Sequence, residues 1–162
     1  MRHFLALALL AAALSACQSA PIEPAVVQPV TPPPPAPPPS GSADLDSSVI
    51  VTPPDKKVPS KYAAFSGIWT GSWDGVQHAK LAVRSVASNG RVTVTYAWGS
   101  LGDMKPGIVD GQGKISAGGK MKLDRFASGV DASFVMQGDG TLAGTYLLAG
   151  AGPEHTAIFR KQ

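Results

Sequence analysis

Two histidines, one cysteine and a scatter of aspartates are the residues of this chain that could do chemistry once its N-terminal leader is set apart. His78 and His155 lie at opposite ends of the C-terminal hundred residues, and neither belongs to a His-x-x-x-His pair. A zinc site needs three or four ligands. The only cysteine, Cys17, is far away in sequence. Serine, histidine and aspartate all occur, but not in the Gly-x-Ser-x-Gly elbow that exposes a nucleophilic serine. Asp74, Asp103, Asp110 and Asp139 each adjoin a glycine. Such sites favour turns in which aspartate bonds its own backbone. No pair is nominated as acid and base, so the expectation is a non-enzymatic protein with no metal and no cofactor.

Cys17 has a different chemistry in prospect. Residues Met1 to Ala16 begin with Arg2 and His3, continue as FLALALLAAAL and end in small residues, the layout of a secretory signal peptide. The apolar run is shorter than the ~20 residues a membrane span needs. Leu14-Ser15-Ala16-Cys17 resembles the lipobox of bacterial lipoproteins. That resemblance implies a diacylglyceryl group on Cys17 and cleavage just before it. Each buried methylene contributes about 0.8 kcal/mol, so two or three acyl chains would anchor the protein durably without spanning the membrane. Gln18 stands where an aspartate commonly retains lipoproteins in the inner membrane. The resemblance therefore implies the cell outer membrane.

Residues 17–59 form the expected lipidated N-terminus and linker, centred on Thr31-Pro-Pro-Pro-Pro-Ala-Pro-Pro-Pro39. This composition cannot bury enough apolar surface to offset ordering, and predicts a disordered spacer with polyproline II character. Val49-Ile50-Val51 could add a short edge strand. Residues 60–162 form the expected domain, with 11 Lys and Arg against 7 Asp and Glu, a net charge of +4. Along the sequence these cations are scattered, as Lys80, Arg84, Arg91, Lys105, Lys114 and Lys120. There is no dense patch or aromatic ladder of the nucleic-acid-binding kind, and no nucleic-acid partner is expected. A positive surplus suits anionic surfaces such as lipopolysaccharide or acidic glycan.

The elements that must position any site read as strands. Arg91-Val-Thr-Val-Thr-Tyr-Ala-Trp98 alternates strictly, with Val92, Val94, Tyr96 and Trp98 on one face. Leu81, Val83 and Ser85 alternate before it, and Ser88-Asn89-Gly90 predicts a hairpin with a type I′ turn. Further strands are expected at 65–75, near Ile108-Val109, at 120–125, 130–136 and 141–148, and from His155 to Arg160. No window has a sustained helical period. The fold class is all-β, about eight antiparallel strands in an up-and-down barrel, which removes exposed edges. A two-sheet sandwich is the alternative.

Trp69, Trp73, Tyr96, Trp98 and Tyr146 could line a cavity for a small apolar or glycan ligand, or fill the core. The loop 99–107 is the expected place for a site. Gly67-Ile-Trp69 and Gly71-Ser-Trp73 resemble the Gly-x-Trp of calycin barrels such as lipocalins and avidins. In those barrels the tryptophan plugs the closed end beneath a basic side chain of the last strand. The resemblance implies a barrel-closing pair of Trp69 and Arg160. The layout of anchor, spacer and small barrel is also similar to outer-membrane lipoproteins related to periplasmic metalloprotease inhibitors. Those barrels usually contain a disulfide, and this domain has no cysteine. The function expected is a membrane-anchored envelope module that binds a ligand or an envelope protein, with protease inhibition as the alternative.

Overall fold

The structure is a computed structural model and describes residues 41–148 and 152–162. The expected signal peptide, Cys17 and the first part of the linker lie outside the described residues. One turn of helix, α1 (Ser60–Ala63), precedes eight strands: β1 (Gly67–Trp73), β2 (Gln77–Val86), β3 (Arg91–Trp98), β4 (Gly107–Ile115), β5 (Lys120–Leu123), β6 (Val130–Met136), β7 (Leu142–Leu148) and β8 (His155–Lys161). Each pairs antiparallel with the next, and β8 returns to β1, so the sheet is a closed up-and-down barrel.

The period-two pattern sets the inside. Leu81 and Val83 of β2, Val92 and Val94 of β3, Met121 and Leu123 of β5, and Phe134 of β6 are buried. In β1, Trp69 and Trp73 are buried at two levels of the barrel, with Gly71 between them. Gly71 is small because β8 crosses there. A Cβ would lie 2.8 Å from the Ile158 carbonyl oxygen and 2.9 Å from the Phe159 ring.

The β2–β3 hairpin differs from the expected type I′ turn. That turn needs positive φ at both central residues, yet only Gly90 has it, at 82°. Gly90 N–H donates to Ala87 O and Ala87 N–H to Arg91 O. The same pair of bonds recurs at Ser116 to Lys120, Phe126 to Val130 and Gln137 to Thr141, with Gly119, Gly129 and Gly140 in the positive-φ place. Four hairpins thus share one device, a tight turn whose last residue must be left-handed, which glycine adopts at least cost.

The expected linker boundary at 59 is also corrected. Residues 41–58 lie along the barrel: Gly41 N–H donates to Ser100 O, Asp44 pairs with Lys80 at 3.9 Å, and Thr52 N–H donates to Arg84 O at 2.8 Å. The Arg84 carbonyl is available because the β2–β3 register shifts between Val83 and Ser85. Ala43 and Val58 are buried, whereas Ile50 is 75% exposed and Val49-Ile50-Val51 is not a strand. Beside this strap the outward-facing Ala82, Thr95 and Ala97 are buried. A poorly hydrophobic segment orders here because the barrel presents a preformed surface, and its prolines leave less chain entropy to lose.

Gly71→Ala should destabilise the barrel by about 1–3 kcal/mol, the usual cost of overpacking. Urea unfolding checks this; unchanged stability would show that β8 can shift to admit the methyl group.

Candidate functional site

The two ends of the barrel differ. At one end Phe65, Trp69, Val86, Val92, Ile115 and Met121 are all buried. Trp69 donates its indole N–H to Phe65 O at 2.8 Å, and Lys161 Nζ lies 5.3 Å from the centre of its ring. This corrects the expected pairing with Arg160. Phe159 points inward, so alternation turns Arg160 outward, opposite Thr70, and brings Lys161 over Trp69. A cation there contributes roughly 0.5–2 kcal/mol.

The other end is open. A cavity of about 340 Å³ lies between Trp73, Tyr96, Trp98, Phe126 and Tyr146, with Leu123 among its apolar walls. The structure therefore brings together four of the five aromatics expected at a site and leaves Trp69 at the closed end. Trp73 forms the floor. Its ring meets Tyr146 edge-on at 4.8 Å and Phe159 at 5.3 Å, and its indole N–H donates to the Tyr96 hydroxyl at 2.7 Å. Tyr96 stacks between Trp98 at 5.8 Å and Phe126 at 6.1 Å. Burial pushes the Tyr96 phenol up to about 12, despite the opposing effect of the indole N–H.

Glycines of β4 make room for this wall. Gly107 and Gly111 face inward, and a Cβ on either would run into the ring of Trp98 or Phe126, respectively. Their spacing in Gly107-Ile-Val-Asp-Gly-Gln-Gly113 was the available signal for it. Phe126 itself was missed, because it lies in the β5–β6 connection where no alternation marks it.

The polar groups are few. Gln77 is buried and donates its amide to Gly99 O at 3.1 Å and Met104 Sδ at 3.0 Å. Met104 thus holds a polar group of the wall. Trp98 Nε1 donates to Lys105 O at 3.0 Å. The loop 99–107 does contribute to the site, through Met104 and Lys105.

On the outer side of the same end, Asp74 accepts from Thr156 N–H and lies 2.5 Å from His155 Nδ1, while His78 Nδ1 is 3.0 Å from Ser72 Oγ. The hydrogen bond with His155, then that from Thr156, holds the Asp74 carboxyl below the usual aspartate range. Serine and aspartate thus engage different histidines. Asp74 bonds across the β1–β8 seam instead of its own turn, and Asp110 accepts from Thr95 Oγ1 at 2.6 Å within the sheet. Asp139 alone shows the expected turn bonding, to Thr141 N–H and Oγ1.

Tyr96→Phe should cost about 1–3 kcal/mol, because the Trp73 indole N–H loses its acceptor while buried. Unfolded tyrosine titrates near 10, so the raised phenol contributes stability fully below about pH 10 that is lost as pH rises through about 12. Chemical melts across that window should show a steeper decline than in the variant, which keeps only the raised Tyr146 phenol; equal slopes would refute the assignment. No family model matches the sequence, and no curated protein matches it.

Proposed function

We propose that the protein is a non-enzymatic binding module of the bacterial outer membrane, anchored by lipid on Cys17, whose barrel mouth takes a small apolar ligand. The observation that supports this most is the aromatic-walled cavity at the open end. At about 340 Å³ it sits near the low end of the roughly 300–1,000 Å³ of ligand pockets, which combine apolar walls with a few placed polar groups. The ligand class is a compact aromatic or short acyl compound. Lys105 at the rim suits a carboxylate or other anionic head on that ligand.

N-phenyl-1-naphthylamine, a neutral apolar fluorophore, should bind saturably at one site per chain. Ala132 faces the cavity, and Ala132→Leu extends a side chain into it. That change should weaken probe binding by about tenfold or more, equivalent to about 1.4 kcal/mol. Absence of saturable binding, or a folded variant that binds as well as the parent, would sink the proposal.

The anchor has its own test. Cys17→Ser should move the protein from the membrane fraction to the soluble fraction on cell breakage, because no acyl chains remain to partition. Continued membrane association would overturn the lipid assignment.

A further inference from the structure

Cations that look scattered along the chain are aligned by the sheet. Arg91 of β3 lies directly opposite Lys114 of β4, and Lys114 directly opposite Lys122 of β5. All three are exposed. With neighbouring strands about 4.8 Å apart, they form a cross-strand row roughly 10 Å long. Like charges directly opposite one another destabilise a sheet. Among the described residues, no carboxylate forms an ion pair with any of the three. The nearby carboxylates are Asp124, exposed two residues after Lys122, Asp131, which Arg125 holds and Lys122 attracts more weakly, and Glu154, which shares an adjoining depression with Lys120 and Lys122.

Two further cations flank the row. Lys120 lies two residues before Lys122 on the same outward face, and Lys61 Nζ donates to Ala117 O at 3.2 Å. Between α1 and the row lies a shallow groove of about 720 Å³, lined by Tyr62, Asn89, Ser116 and the row's lysines.

We propose that this row and groove bind a linear acidic glycan. Regularly spaced cations match a chain with a repeating negative charge, and binding it relieves the repulsion that the sheet otherwise carries. The groove adjoins the row, so a linear chain can follow both. Tyr62 lines the groove with Lys61 Nζ over its ring at 5.4 Å, and Asn89 and Ser116 offer hydrogen bonds to sugar hydroxyls. Arg91 and Trp98 are the two ends of β3, so this surface and the mouth are at opposite ends of the barrel.

The full-length protein should bind polygalacturonate saturably, with affinity falling steeply as salt rises, and should not bind neutral dextran. The double change Lys114→Gln, Lys122→Gln should reduce binding about tenfold or more, as loss of paired contacts to a polyanion predicts. The same change should leave the melting temperature equal or higher, since it removes a like-charge pair. Arg160→Gln, on the outer face of β8, should bind polygalacturonate as the parent does. Equal binding to dextran, or undiminished binding by the double variant, would overturn the proposal. So would a protein that ignores polygalacturonate yet uses these lysines on phosphatidylcholine–phosphatidylglycerol vesicles, which would assign the row to a membrane surface. Probe binding at the mouth is measured separately and can fail without affecting this result.

Discussion

The barrel depends on closure between β1 and β8, the strands that begin and end it. A closed sheet leaves no unpaired edge, but this seam joins parts of the chain almost a hundred residues apart, and its ladder is short. Trp69 pairs with Lys161 and Thr70 with Arg160. The ladder is extended by Gln162 N–H to Ile68 O at 2.9 Å and Asp74 N–H to Thr156 O at 2.8 Å. Side chains reinforce both ends: Lys161 over Trp69 at the closed end, and Asp74 on His155 and Thr156 at the open end. Asp74 is the one described non-glycine residue with positive φ, at 49°. Aspartate tolerates that conformation better than most residues, and here its carboxylate ties the strained turn across the seam.

The same seam explains why tryptophan alternates with glycine in β1. A barrel of eight strands is just wide enough for its interior to be filled by side chains, so large rings must be stacked in layers with gaps between them. Gly71 leaves space for Phe159, and a Cβ on Gly144 would lie about 3.0 Å from the rings of both Phe159 and Trp73. Below Trp73 the layers fill the barrel. Above it, rings lie flat over the glycines of β4, lining the wall without crossing the lumen, and the mouth remains open. One substitution pattern, glycine facing aromatic, thus packs one end and hollows the other.

Alternation made the strands legible, because in a barrel every strand has one buried and one exposed face. The exposed face was less readable. Arg91, Lys114 and Lys122 each look like solvated surface residues on their own strands, and only the register makes them neighbours. The strap was hidden for a related reason. Its polar composition describes the segment in isolation, whereas its order depends on small outward residues of other strands, Ala82, Thr95 and Ala97. Those positions were the available signal, since an outward strand face without large polar residues asks for a cover. Lys161 replaced Arg160 over Trp69 through a single step of strand parity, a distinction set by where β8 begins to pair.

The strap also bears on how an anchored barrel could use both surfaces. It runs from Ser100, beside the mouth, to Val58, next to the closed-end core, so the chain enters the domain at the open end. With an anchor at Cys17, as proposed, 24 residues separate the lipid from the strap, a contour length of roughly 80 Å. Strand β3, which spans mouth to closed end, is only about 27 Å long at about 3.4 Å per residue. That contour length exceeds the barrel's height, so with such an anchor the point of entry would not force either end toward the lipid. Orientation would then be decided by what each end binds. An apolar ligand supplied from the membrane favours the mouth facing it, and that leaves the cationic row directed outward, toward polymer beyond the lipid surface.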